Sequence, residues 1–180
     1  MKRLFLACFV FSVVSAVAQP MMFDDETTTV TFSTPHVIML LKGTFTGVQG
    51  ASQLNPSDLS KSFLKLTFGA NTAIGNDPFI GPDLTKEACL DSRNYPTIQL
   101  QSEHIEKLTE ENKYLFTGSL TVKNITEKVS FTFTAIPNVG GYDYDFSFPI
   151  PRKTYELNCR CGQKFQITVR GYGKKVATTG

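Results

Sequence analysis

The segment Val129-Ser-Phe-Thr-Phe-Thr-Ala-Ile136 alternates apolar and polar residues, and the segment Tyr144-Asp-Phe-Ser-Phe-Pro-Ile150 repeats the pattern with aromatic rings. Successive side chains of a strand point to opposite faces, so each segment directs its rings to one side. A sheet with a solvent-exposed aromatic face would aggregate, so such strands close into a barrel or pack as a sandwich. The pattern therefore predicts an all-β protein with a covered aromatic face.

Further strands are predicted outward from these two segments in both directions. Most of the gaps between them have hairpin length, which favours antiparallel neighbours, and Pro137 is expected to end a strand. The predicted strands are Thr28 to Ser33, Val37 to Leu41, Phe45 to Leu54, Phe63 to Asn71, Thr97 to Glu103, Tyr114 to Val122, Val129 to Ile136, Tyr144 to Phe148 and Phe165 to Tyr172.

One long connection, residues 72–96, lacks the period of two. Pro82 and Asp83 suit the start of a short helix, whose Leu84, Ala88 and neighbouring Leu90 are expected to face inward. Long excursions of this kind in compact sheet proteins often cover a binding site, and the alternative is a segment that completes the core.

The first 18 residues have the features of a secretory signal peptide. Lys2 and Arg3 precede an apolar stretch from Leu4 to Val14, and small residues follow at Ala16 and Ala18. We therefore predict residues 1–18 as a signal peptide, residues 19–180 as one domain, and an exported protein, periplasmic or secreted. The remaining chain has 16 basic residues (18 − 2) against 16 acidic residues, a balance that argues against nucleic-acid binding. No later segment is apolar for long enough to predict a transmembrane span.

Cys89, Cys159 and Cys161 follow the predicted signal peptide. An exported protein can oxidise one pair, and a bridge from Cys89 to either partner is easier to form than one between Cys159 and Cys161. A redox role for Cys159 and Cys161 is an alternative, but the close pair supplies too few ligands for a metal site.

No residues form a recognisable reaction centre. His36 and His104 lack metal-ligand partners at helical or strand spacing, and the carboxylates Glu103, Glu106, Glu110 and Glu111 lie in a polar hairpin that is expected to be solvated. Asn124-Ile-Thr126 matches a glycosylation acceptor pattern but is interpreted as a turn. We therefore predict a protein that is not an enzyme and that uses no cofactor and no metal.

Three motifs in order resemble the YceI-like family of bacterial lipocalin-like, polyisoprenoid-binding proteins. They are Lys42-Gly-Thr-Phe-Thr-Gly-Val-Gln-Gly50, Leu90-Asp-Ser-Arg-Asn-Tyr-Pro-Thr-Ile98 and Thr117-Gly-Ser-Leu-Thr-Val-Lys-Asn-Ile-Thr-Glu-Lys-Val129. The resemblance runs from about Thr28 to Tyr172. It implies an antiparallel lipocalin-like β-barrel of about eight strands, with one short helix in a long loop and an apolar bore that holds an isoprenoid chain. The chain departs from the family pattern at Gly81-Pro82-Asp83, where many members have an Arg-Asp pair.

The resemblance and the strand alternation together predict a carrier or sequestering protein for a long apolar lipid, such as a polyprenyl compound or a quinone. A homodimer is compatible with the sequence. We expect a continuous tunnel, although a solid-core interaction module in the cell envelope or a stress-related protein without a lipid ligand is the alternative, because small barrels are often filled. The residues predicted to line the ligand are Phe32, Met39, Leu41, Leu64, Leu66, Phe68, Leu100, Phe116, Phe131, Phe133, Phe146 and Phe148.

Overall fold

The computed structural model describes residues 20–35, 39–159 and 162–175, which are mostly β-strand. The predicted signal peptide, His36 and Cys161 lie outside the described residues. The strands are β1 Met21–Asp24, β2 Thr28–Pro35, β3 Leu40–Phe45, β4 Gln49–Gln53, β5 Phe63–Gly69, β6 Ile74–Gly75, β7 Thr97–Lys107, β8 Lys113–Val122, β9 Ile125–Asn138, β10 Gly141–Pro151 and β11 Lys164–Lys175, and the one α-helix in these ranges is α1 Ile80–Thr85.

Eight of the strands form a closed antiparallel barrel. Their order around the wall is β1-β4-β5-β7-β8-β9-β10-β11, and β11 returns to β1 through the pairs Met21 with Lys175 and Met22 with Lys174. The expected eight-stranded barrel is therefore confirmed. Closure removes the exposed edges that an open aromatic sheet would present to other molecules.

Strands β2, β3 and β6 lie outside the ring of eight. They extend the sheet from β11, whose N-terminal half pairs with β2. The chain turns at residues 25–27, where the Asp24 carboxylate accepts a hydrogen bond from the Thr27 amide, and then continues along β11 as β2. The Asp25 carboxylate accepts hydrogen bonds from the amides of Gly47 and Val48, each at 2.9 Å. These bonds attach the first turn to the β3–β4 connection, where Gly47 has a φ of +70°.

Strict alternation places the apolar side chains inside. In β10 the even-numbered residues from Tyr144 to Ile150 are buried, whereas the residues between them are exposed. β8 alternates in the same way from end to end. The period of two read from the sequence therefore identifies the interior face of these strands correctly.

One end of the barrel is covered by two segments that a disulfide joins. The first contains α1 and the turn that follows it, with Leu84 and Leu90 buried. The second is residues 152–159, and Cys89 is bonded to Cys159 with their Cα atoms 4.9 Å apart. We call this pair of segments, residues 79–91 and 152–159, the cap. The helix starts at Ile80, two residues before Pro82, because proline is tolerated in the first turn of a helix. Ala88 is exposed, so the expectation that it faces inward is wrong.

Several strand ends differ from the predicted ones. β9 continues past Pro137 to Asn138. The Ala135 amide donates to the Asn112 carbonyl, so the nitrogen of Pro137, two residues further on, points to the same side. Because β8 has already ended on that side, the missing N–H of Pro137 costs no ladder bond. The stretch from Phe45 to Leu54 is divided at residues 46–48, and β7 extends through polar residues to Lys107. Only part of the predicted strand Val37 to Leu41 lies within the described residues, where β3 begins at Leu40.

Candidate ligand-binding barrel

Most of the predicted lining residues meet inside the barrel. Phe131 faces inward but is only partly buried, and Met39 is 45% exposed. Met39 precedes the first residue of β3, so the alternation that turns Leu41 inward does not reach it, and the predicted inward position of Met39 is wrong. The buried members are Phe32, Leu41, Leu64, Leu66, Phe68, Leu100, Phe116, Phe133, Phe146 and Phe148.

Stacked aromatic rings connect β8, β9 and β10 across the interior. The Phe131 ring lies 4.5 Å from that of Phe116, 5.4 Å from that of Phe146 and 5.3 Å from that of Phe148, measured between centroids. Interplanar angles of 12°, 15° and 23° make these contacts stacked ones. Stacked pairs of this kind contribute about 0.5–1.5 kcal/mol beyond the burial of their area.

Over the residues that the structure describes, the interior is filled by these side chains, so the prediction of a continuous tunnel is wrong for this part of the barrel. A bore wide enough for a lipid chain would leave its lining accessible, but Phe68, Phe116 and Phe148 are 0% exposed. A cavity between Leu84 and Ile150, beneath α1, has a volume of about 10 Å³, no more than a single water occupies. Larger concavities of about 620 and 610 Å³ lie on the outer surface.

A few polar groups are buried in the barrel. The Ser52 hydroxyl donates to the Tyr144 hydroxyl at 3.1 Å, and burial raises the pKa of Tyr144 well above its usual value. The Tyr155 hydroxyl donates to the Leu120 carbonyl at 3.3 Å. Burial raises the pKa of Tyr155 to about 12, with a smaller contribution from the Glu127 carboxylate. The interior therefore offers an apolar lining with isolated hydroxyls.

Strands β9 and β10 separate partway along their length. Their ladder runs from Gly141 with Asn138 to Phe146 with Phe133 and ends there, while β10 continues to pair with β11 as far as Pro151. The Arg152 amide, just after β10, donates to the Gln163 carbonyl, just before β11. Because successive amides of a strand point to opposite neighbours, the even-numbered amides at this end of β10 face β11 and the odd-numbered positions face β9. Pro149 and Pro151 occupy two of those odd positions and have no N–H to donate.

We call this gap between Val129–Thr132 and Ser147–Ile150 the slit. It is bounded below by the last ladder pair and above by the ring of Tyr155, which is 1% exposed and bonded to β8. The prolines were present in the sequence, and their spacing of two is the signal that could have predicted the loss of pairing on one side of β10.

The remaining predicted groups lie on the surface or in turns. His104 sits at a β-bulge of β7, with its imidazole 3.4 Å from the exposed Glu106 carboxylate. Asn124 is in the β8–β9 turn, as interpreted from the sequence. Cys159 is paired with Cys89, one of the two pairings left open, so Cys159 has no free thiol for a redox pair with Cys161.

Within residues 20–35, 39–159 and 162–175, no three His, Cys, Asp or Glu side chains come together as a metal site. Over the part of the chain that the structure describes, no helix has the length and apolar character to cross a bilayer.

A closed antiparallel barrel of eight strands with an apolar interior is the architecture of lipocalin-like barrels. The chain belongs to the YceI-like family, because the YceI-like domain matches residues 22–177. No curated protein sequence matches it significantly.

Solved structures show the same fold at low sequence identity. BcnA of Burkholderia cenocepacia has a TM-score of 0.76 at 19% identity, over 82% of this chain and 96% of that one. A Campylobacter jejuni YceI protein has a TM-score of 0.68 at 13% identity, over 98% and 100%. A polyisoprenoid binding domain from Saccharophagus degradans, implicated in plant cell wall breakdown, has a TM-score of 0.67 at 6% identity, over 89% and 100%.

Proposed function

We propose that this protein is an exported, non-enzymatic carrier that binds a polyisoprenoid or a similar long apolar lipid inside its barrel. The observation that carries the proposal is the apolar, ring-rich interior, in which inward positions of β8, β9 and β10 form one stacked aromatic cluster. Family membership and a polyisoprenoid-binding structural neighbour support it further. Export rests on the predicted signal peptide, residues 1–18.

Burial supplies the binding free energy. At roughly 25 cal/mol per Å² of apolar area, each buried five-carbon isoprene unit contributes several kcal/mol before ordering costs, so longer chains bind more tightly. Because the interior is filled, a ligand chain has to displace rings such as Phe131, and their lost contacts reduce the net affinity. A ligand whose own surface replaces these apolar contacts therefore binds best, and a short or polar molecule does not.

The filled interior also favours a second candidate, a solid-core interaction module that contacts a partner in the cell envelope without a lipid. Side chains such as Phe68 and Phe148 already pack to full burial, as in a barrel that holds no ligand. In this case the exposed surface and loops, and not the interior, carry the function.

Lipid extraction of protein purified from its native host, followed by mass spectrometry, separates the two candidates. The carrier predicts one class of long apolar lipid in stoichiometric amount. A Phe133→Asp variant that remains folded should lose this lipid, whereas Thr132→Asp on the outer face should retain it. Lipid-free wild-type protein, together with failure to take up added polyprenol, would leave the interaction module as the better proposal.

A further inference from the structure

The slit is a stretch of the barrel wall where the ladder between two neighbouring strands stops although both strands continue. The β8–β9 ladder runs the full length of β8, and the β10–β11 ladder runs the full length of β10. Between β9 and β10 the ladder ends at Phe133 and Phe146. An opening in either of those two walls must break several ladder bonds, whereas at the slit only the bond from the Ser147 amide to the Thr132 carbonyl, which completes the last ladder pair, has to break.

Side chains seal the slit from within. Phe131 and Val129 point inward on the free edge of β9, yet both remain partly exposed while most other inward residues are buried. Across the slit, Phe148 and Ile150 are 0% and 2% exposed. The Phe131 ring therefore lies outermost in the stack and connects the two edges through its contacts with the β10 rings.

Two prolines of β10 prevent its ladder with β9 from continuing through the slit. An unbroken register would place Ser147 opposite Thr132 and Pro149 opposite Ser130, because the last ladder pair is Phe146 with Phe133. Pro149 cannot donate to β9, and Pro151 repeats the defect two residues later. The free length of Val129–Thr132 is four residues, about 13 Å at the rise of a strand, which suits a slim chain lying along it.

The capped end of the barrel is a poorer route. At the cap end, the disulfide between Cys89 and Cys159 holds two segments together, and the Asn158 amide also donates to the Ala88 carbonyl at 2.7 Å. Leu84, Leu90 and Leu157 of these segments are buried by 97% or more. Passage there requires a cross-linked cap to move, whereas passage at the slit requires two largely unpaired strand edges to separate and the Phe131 ring to turn away.

We propose that the apolar chain reaches the interior sideways through the slit, with the Phe131 ring as its gate. This inference rests on the proposed lipid-binding function and adds the route to it. A chain that inserts between β9 and β10 takes over the contacts of the Phe131 ring with Phe146 and Phe148 as the ring turns away. Uptake and release are then both governed by the separation of the two edges.

A reversible clamp tests the route. Thr132→Cys with Ser147→Cys places two outward-facing thiols on opposite edges of the slit, and a short flexible thiosulfonate cross-linker joins them. Thr134→Cys with Asp145→Cys is the matched control, since that pair faces outward in the intact ladder just below. All variants carry Cys161→Ser, so the introduced thiols are the reactive ones. In both pairs the first cysteine lies on β9 and the second on β10. The second substitution also removes one hydrogen bond to β11, that of Ser147 with Thr168 in the slit pair and that of Asp145 with Arg170 in the control pair.

The probe is dansyl-labelled geranylgeraniol, with uptake and release followed by stopped-flow fluorescence. The slit clamp should slow both by at least about tenfold, and cleaving the cross-linker should restore them, while the control clamp leaves both rates unchanged. A Phe131→Ala variant should take up the probe about tenfold faster, since it lacks the gating ring. Uptake by the slit-clamped protein at the control's rate would overturn the lateral route but not the carrier function.

Amide hydrogen exchange tests the slit without any lipid. The Thr132 and Ser130 amides, which point toward β10 beyond the last ladder bond, should exchange rapidly, whereas the Thr134, Asp145 and Ser147 amides of the ladder should be protected. Protection at Thr132 and Ser130 would show a closed wall and overturn the proposal even if the protein binds lipid. Wild-type protein that takes up no probe would contradict the proposed function itself, and the route would fall with it.

Discussion

Removing the disulfide between Cys89 and Cys159 should strongly destabilise the protein. The two cysteines are 70 residues apart in sequence, and both are buried, at 1% and 8% exposure. The bridge therefore closes a long loop that contains β7, β8, β9 and β10. Because a cross-link restricts the unfolded chain more as the loop lengthens, its loss should mainly increase the entropy of the unfolded state.

The expected magnitude follows from that loop. The chain-entropy relation for a loop of about 70 residues gives roughly 15 cal/mol/K, or about 4.4 kcal/mol at 25 °C. For a protein of this size each kcal/mol shifts the midpoint by about 2–4 °C, so the melting temperature should fall by about 9–18 °C. The double variant Cys89→Ala with Cys159→Ala removes the bridge and leaves only a small void at each site.

Urea unfolding followed by far-ultraviolet circular dichroism measures the free energy of unfolding of this variant against wild type. Cys161→Ser is the control, because it changes a cysteine two residues from the bridge and leaves the bridge intact. Native-state hydrogen exchange should also show that the turn containing Leu90 loses protection before the barrel strands do. A loss of less than about 1 kcal/mol would refute the reasoning, since it would mean that the bridge adds little to a cap already held by packing.

Further predictions concern the barrel interior. Phe133→Asp should lower the free energy of unfolding by several kcal/mol, whereas Thr132→Asp should change it by less than about 0.5 kcal/mol, as urea titration can show. Thr34→Val should raise it by about 1 kcal/mol, because the buried Thr34 hydroxyl has no hydrogen-bond partner among the described residues; an equal or lower value would indicate a partner at that hydroxyl. Because the pKa of Tyr155 is raised, its neutral form stabilises the fold below pH 10, and this contribution is lost as the pH rises towards 12. Tyr155→Phe should therefore make the free energy of unfolding depend less on pH in this alkaline range, and an unaltered dependence would contradict the reasoning.

Local patterning was sufficient where the strands are long and alternate strictly. The inward positions of Phe116 and Phe146 followed from the period of two, because side-chain direction along a strand is a local property of the backbone. Met39 was placed wrongly because its direction depends on where β3 begins, and strand ends depend on partners distant in sequence. β1 is four residues long and its existence depends on β4 and β11, so no local signal marked it.

The sequence by itself determined the all-β class, the interior face of the main strands and the apolar chemistry of that interior. It also narrowed the disulfide to Cys89 with one of two partners. Only the tertiary structure decided that Cys159 is the partner, because pairing depends on the cap bringing two distant segments together. It also decided that the rings fill the barrel and that Phe131 alone bridges an unpaired stretch of wall. Alternation sets the side to which a ring points, but the space it meets depends on strand number, tilt and the rings of the opposite wall.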